Sequence, residues 1–280
     1  MPAPVLPRGR GAEHATPVRE CPGGFFGTRG RAVKHEFLPP PEQGRRFVAK
    51  RRVRLGDVNR ANRLRLDAFA RYLQDVASDD VDDVAESRVD GAWVLRRTAL
   101  VLGRSPRYGD DVELTTFCSG TGGRWAERRT TLAVDGSSVA EAVAIWVYVD
   151  RAGRPAPLGD WFFDHYGAAA AGRKVSGRLS LAQPRADAHV RPWPVRATDF
   201  DLLGHVNNAA YWFAVEDELA RFPPARAPVS AELEHRLAIE PGDSVELRST
   251  IDDDVLSVWL TTDGETRSAA QLRLGATPGK

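Results

Sequence analysis

Between residues 209 and 215 the chain reads Ala-Ala-Tyr-Trp-Phe-Ala-Val, an unbroken run of seven apolar residues. Wound as a helix, this segment is apolar on every face, so it must be buried on most sides. The segments around it carry strand signals, and a sheet curled around the helix is the natural way to bury it. The expectation is an α+β fold in which an antiparallel sheet encloses a central helix.

Val, Leu, Thr and aromatic residues concentrate at 45–53, 93–102, 111–120, 125–134 and 140–149. Turn signals separate these stretches at Ser105-Pro106, Gly109-Asp110, 120–123 and Asp135-Gly136. Between the first two strands, Leu66, Phe69, Ala70, Leu73, Val76 and Ala77 recur at helical spacing. The second half repeats the order, with a strand at 190–195, a helix at 206–219 and strands at 231–239, 244–251, 256–261 and 267–274. Two anchors align in the same order. Arg54-Leu-Gly-Asp57-Val-Asn59 matches Arg196-Ala-Thr-Asp199-Phe-Asp201, and Gly109-Asp110-Asp-Val-Glu-Leu114 matches Gly242-Asp243-Ser-Val-Glu-Leu247. The spacing predicts two β-α-β-β-β-β units at 45–150 and 190–275, joined by a Gly-, Pro- and Ala-rich linker at 151–189. A single unrelated barrel is the alternative. Residues 1–44 show no periodic apolar pattern and read as a flexible tail or an extended start. They contain no apolar core of about 7–15 residues, so they do not read as a secretory signal.

Composition excludes several functions. Across 280 residues, 39 Lys+Arg face 38 Asp+Glu, which gives no global basic field for nucleic acid. No run approaches the ~18–20 apolar residues of a membrane span. Cys21 and Cys118 are too few for a disulfide framework or a Cys-rich zinc site and suit a reducing cytoplasm. Cys118, within a strand pattern, reads as a small buried residue. His14, His35, His165, His189 and His235 have no partner at metal-ligand spacing. No phosphate-binding glycine motif follows a strand.

The run Asp199-Phe-Asp201-Leu-Leu-Gly204-His205-Val206-Asn207-Asn208-Ala-Ala-Tyr211 resembles the D-x-D-x-x-G-H-V-N-N-x-x-Y signature of hotdog-fold thioesterases. From residue 45 onward the chain resembles the acyl-acyl-carrier-protein thioesterases, a family built from two tandem hotdog units. Further resemblance lies in Trp93-Val-Leu-Arg-Arg, Pro106-Arg-Tyr-Gly-Asp, Thr116-Phe-Cys-Ser-Gly120 and Ile145-Trp-Val-Tyr-Val-Asp150. It implies a double hotdog, each unit an antiparallel sheet wrapped around a central helix. It also implies hydrolysis of acyl carrier protein thioesters to free fatty acid and thiol, without metal or redox cofactor. Two positions depart from the plant-type pattern. Leu203 stands where those members carry Asn, and Ala238 where they carry Glu, with Glu240 two residues away. Single-hotdog thioesterases with the Gly-His-Val-Asn-Asn form keep a carboxylate at the Asp201 position.

A thioester carbonyl needs an activated water or a carboxylate nucleophile, donors for the developing oxyanion, and exclusion of bulk water. Asp201 lies just before the helix, placed to deprotonate water or to attack the carbonyl. His205 supplies an imidazole for proton transfer. The unpaired N–H groups of the helix's first turn polarise the carbonyl oxygen, and Asn207 holds the thioester or orients water. Asn208 reads as a helix cap, Asp199 as the partner of Arg196 or the residue fixing the turn, Tyr211 and Trp212 as core, and Glu216 as a charged position near the helix end. In the first half, Asn59 and Arg63 stand at the Asp201 and His205 positions, removing carboxylate and base. That unit is expected to hold substrate, with the helix bearing Ala70 and Ala77 against an acyl-chain cavity. The Arg45–Arg54 cluster is either a docking patch for an acidic carrier or a solvated edge strand. Three functions stay open: hydrolysis on acyl carrier protein, hydrolysis on acyl-CoA, and acyl binding without turnover. A monomer and a homodimer are both compatible with a duplicated unit.

Overall fold

The computed structural model describes residues 37–84, 91–221 and 227–275. Strand β1 (Phe47–Arg52) leads to helix α1 (Leu66–Asp82) and strands β2 (Gly91–Leu102), β3 (Asp111–Thr121), β4 (Trp125–Val134) and β5 (Ser137–Asp150). Helix α2 (Asp160–Ala170) follows. Then come β6 (His189–Pro192), α3 (Asn208–Leu219), β7 (Pro228–His235), β8 (Val245–Asp252), β9 (Val255–Thr262) and β10 (Glu265–Leu274).

The ten strands form one sheet in the order β1-β3-β4-β5-β2-β7-β10-β9-β8-β6, with every neighbouring pair antiparallel. Read from either edge inward, the two halves have the same order. They meet where β2 pairs with β7, with Leu100 opposite Ala231 and Ala99 opposite Glu232. The turns repeat as well. Asp135-Gly136 closes β4 to β5 and Asp263-Gly264 closes β9 to β10, all four residues at positive φ. This is the hairpin conformation that Asp-Gly adopts at least cost.

Helix α1 buries Leu66, Phe69, Leu73 and Val76, the stripe its spacing predicts. Helix α3 is buried on nearly all sides, with Trp212 fully enclosed and Tyr211 beside it, because its sequence offers water almost no polar face. The two helices pack on each other, and one apolar cluster runs through both and through the sheet of both halves.

Three features add detail to the sequence reading. The stretch 151–189 contains α2, whose Phe162, Tyr166 and Ala170 are buried in a second cluster with Cys118 and Ala126. Gly and Pro on both sides mask this short helical pattern. Of the 1–44 tail, residues 1–36, with Cys21, His14 and His35, lie outside the described residues. Phe37 nevertheless lies under the Arg129 guanidinium at 4.9 Å. Gly44, at φ +89°, brings its backbone so close to Ala169 that a Cβ would collide at 2.3 Å. The Arg45–Arg54 cluster is largely neutralised. Arg45 pairs with Asp80 and Asp83, Arg51 with Asp79, Arg52 with Asp111 and Lys50 with Glu113.

Candidate active site

The motif preceding α3 folds as a one-turn 3-10 helix, Ala197–Asp199, followed by a tight loop. Asp199 accepts a hydrogen bond from the Arg196 backbone N–H at 2.9 Å and pairs with its guanidinium, so it both fixes the turn and binds Arg196. Phe200 and Val206 then bridge as a minimal antiparallel pair. Between them the Asp201 N–H donates to the His205 carbonyl at 2.9 Å, and the Gly204 N–H to the Asp201 carbonyl at 3.0 Å. Gly204 sits at φ +78°, where a side chain would be strained.

The loop before α1 repeats this construction. The Arg54 backbone N–H donates to Asp57, Val58 bridges Leu64, the Asn59 N–H donates to the Arg63 carbonyl, and Asn62 takes the left-handed position at φ +55°. Asn59 therefore stands for Asp201, Asn62 for Gly204, Arg63 for His205 and Leu66 for Asn208.

The two loops differ in what faces them. Glu216 of α3 reaches the start of α1. Its Oε1 accepts from Asn59 Nδ2 at 3.2 Å and Arg63 Nη2 at 2.5 Å, and its Oε2 from the Leu66 backbone N–H at 3.1 Å. Glu216 is a charged position near the helix end, and it is buried, occupying the anion-binding start of the opposing helix. The first loop is thus filled by the protein's own carboxylate.

The second loop opens instead on a cavity of about 360 Å³. Its lining comes from Asp201, Leu202, Leu203 and Asn208 at the loop, from Gln74, Ala77, Ser78, Val81 and Asp82 on α1, and from Trp93, Cys118, Ala126, Glu127, Arg128 and Trp146 on the first-half strands. Phe162 and Tyr166 of α2 complete it. Burial pushes the Cys118 thiol up to about 11, so the wall it forms is neutral. Ala77 lines this cavity as expected, whereas Ala70 and Leu73 line an adjoining pocket of about 20 Å³ together with Gln74, Trp146 and Asn208.

Asp201 is half-buried at the cavity, its Oδ1 accepting from the Leu203 N–H at 2.9 Å. His205 lies on the exposed side of the loop, with Nε2 3.5 Å from Glu240 Oε1 and both side chains about half exposed. The loop holds Asp201 and His205 together through the backbone, but only Asp201 lines the cavity. Glu240, two residues from the position suggested by spacing, is the carboxylate that meets the histidine. Asn207 is the N-cap of α3, with Oδ1 accepting from the Ala209 N–H at 2.9 Å, and Asn208 is the first helical residue, facing the cavity. Tyr211 and Trp212 are core, as expected.

Sequence reasoning missed Gln74, Trp146, Phe162 and Tyr166 as cavity residues. The one available signal was the repeat itself. Gln74 falls eight residues after the first residue of α1, as Glu216 does in α3. Among the described residues no group of three His, Cys, Asp or Glu side chains is placed to hold a metal ion, and no helix is long and apolar enough to cross a membrane.

The family description "Acyl-ACP thioesterase N-terminal domain" matches residues 44–158, and "Acyl-ACP thioesterase C-terminal domain" matches residues 182–274. An uncharacterised protein of Mycobacterium tuberculosis is 29% identical over 244 residues, covering 87% of this chain and 98% of the relative. Two solved structures share the fold. The 12:0-ACP thioesterase from Umbellularia californica superposes with TM-score 0.71 at 18% identity, covering 84% of this chain and 99% of that one. An acyl-ACP thioesterase from Bacteroides thetaiotaomicron superposes with TM-score 0.66 at 16% identity, covering 82% and 98%. With both halves matched in order, the chain belongs to the acyl-ACP thioesterase family.

Proposed function

We propose that this protein is a double-hotdog hydrolase that cleaves acyl thioesters of acyl carrier protein to free fatty acid and carrier thiol. In this reading residues 45–150 form a substrate-holding unit and 190–275 the catalytic one. Residues 151–189 connect them, and 1–44 precede the pair. Membership of the family supports thioester hydrolysis, and the matching descriptions of both halves favour the carrier-protein substrate over acyl-CoA.

The observation that carries the reading is the position of Asp201, on a cavity with aromatic and aliphatic walls and beside the first residue of α3. The acyl chain lies between α1, the first-half strands and α2, away from bulk water. The thioester carbonyl meets the start of α3, where first-turn N–H groups receive the charge that develops on its oxygen. Asp201 takes the proton of the attacking water. His205, steadied by Glu240, passes protons between the loop and solvent. Asn207 sets the loop–helix junction through its cap on the Ala209 N–H.

Hydrolysis of an acyl-chain ladder on both carriers tests this, with Asp201→Asn and His205→Ala beside the parent. Loss of the base is expected to lower kcat by at least about 100-fold, and loss of the imidazole by less. Activity on acyl-CoA alone would replace the substrate. Binding without turnover on either carrier, or Asp201→Asn hydrolysing as fast as the parent, would overturn the assignment. Direct attack by Asp201 would instead leave heavy oxygen on its carboxylate after turnover in labelled water.

A further inference from the structure

We propose that the side-chain amide oxygen of Gln74, delivered from the first half's helix, holds the water that Asp201 activates. The inference rests on the reading of Asp201 given above and adds a residue that the motif before α3 does not contain.

The first loop shows where the ninth residue of one helix reaches. Glu216 sets one oxygen on the Leu66 N–H and the other on the Asn59 and Arg63 side chains. Gln74 holds the same place on α1. It lines the cavity together with Asp201 and Asn208, the counterparts of Asn59 and Leu66. On the filled side this position is a carboxylate closed by Arg63. On the open side it is a neutral amide, and no arginine stands at the His205 position to close it. The exchange of Glu for Gln, with Asn59 replaced by Asp201, keeps a single carboxylate at each loop. Two carboxylates facing each other would disfavour ionisation of both.

The second observation is an unsatisfied atom. Gln74 Oε1 is buried and has no hydrogen-bond partner among the described residues. A buried acceptor left unpaired is costly, and a bound water or ligand is one way such a group is satisfied. Water has two protons to place. With one directed to Asp201 and the other to Gln74 Oε1, its lone pair is left facing the carbonyl carbon. The water oxygen bonds to that carbon while Asp201 takes one proton, and the second proton stays on the attacking oxygen, hydrogen-bonded to Gln74 Oε1. The carbonyl oxygen becomes an oxyanion at the Asn208 N–H, in the place that Glu216 Oε2 takes at Leu66. Collapse of the adduct breaks the C–S bond, and the proton on Asp201 passes to the departing thiolate.

The test compares kcat, KM and the pH profile of the full-length parent, Gln74→Leu and Gln74→Glu, using the acyl thioester that the parent turns over fastest. Gln74→Leu is expected to lower kcat by about 10- to 100-fold with KM changed less than about 3-fold, since only an interaction with the reacting water is lost. Gln74→Glu is expected to move the acidic limb of the kcat profile to higher pH by placing a second carboxylate beside Asp201. A purely structural glutamine would leave that limb in place. If Gln74→Leu fails to fold, the limb shift in Gln74→Glu carries the test. Parental kcat in Gln74→Leu, or an unmoved limb in Gln74→Glu, overturns the inference while leaving the role of Asp201 standing. A parent that hydrolyses no acyl thioester overturns the underlying reading instead.

Discussion

Glu216 and Gln74 show how one helical position is used for opposite purposes. Glu216 places a carboxylate between the half-buried Arg63 guanidinium and the Leu66 N–H that opens α1, so removing it strips both of that partner. Side-chain exposures of 15% for Arg63 and 11% for Glu216 put the pair in the range where breaking it costs about 3 kcal/mol. Glu216→Ala is therefore expected to lower the urea midpoint markedly, while Glu216→Gln, which still accepts from Leu66, loses less. Equal midpoints for Glu216→Ala and the parent would show that the contact contributes little. Asp201, by contrast, is engaged at one oxygen by Leu203 and lines the cavity. The first half's loop is filled by Glu216, and the second half's loop opens on the cavity.

Helix α2 is the element that turns a sheet surface into a cavity. Phe162 packs on Trp93 and Tyr166 at ring separations of 5.6 and 5.2 Å, and the Tyr166 hydroxyl reaches the Asp80 carbonyl near the end of α1. These contacts hold α2 across the strand residues Cys118 and Ala126. Phe162→Ala widens the cavity and Cys118→Phe narrows it. In the acyl-chain ladder, the preferred substrate is expected to lengthen with the first and shorten with the second. Phe162→Ala also removes a buried ring, at about 3–5 kcal/mol of stability. An unchanged chain-length profile in both variants would place the acyl chain elsewhere.

At the scale of the whole molecule, the β2–β7 pairing and the α1–α3 contact merge the two halves into one core. His235, the last residue of β7, sits inside this junction. Its ring meets Tyr211 edge-on at 4.8 Å, and the Nε2 atom is buried without a partner among the described residues. Burial, with Arg96 nearby as a lesser cause, pushes its pKa from 6.5 down to about 3. Below pH 6.5 the unfolded chain takes up a proton that the folded chain refuses, so this group's contribution to stability is present above pH 6.5 and is lost as pH falls toward about 3. The loss approaches about 1.4 kcal/mol per pH unit within that window. His235→Leu, which cannot titrate, is expected to melt with a shallower pH dependence than the parent between pH 6.5 and 4. Parallel melting curves would show that His235 is protonated in the fold.

The sequence by itself determined most of the elements, their repetition and the loop before α3. Strand alternation, the stripe of α1, the all-apolar face of 209–215 and the Asp-Gly turns are local patterns, and local hydrogen bonding and burial periodicity are enough to read them. Asp199 with Arg196, and the loop carrying Asp201 and His205, were legible for the same reason. What approaches that loop depends on residues far apart in the chain. Gln74 comes from α1, Phe162 and Tyr166 from a helix hidden among Gly and Pro, and Glu240 from beyond β7. Only packing α1 against α3 decided that one loop is closed by Glu216 and the other opens on a cavity. The two loops share their backbone plan, and a chain read one window at a time cannot show which distant side chain will face each of them.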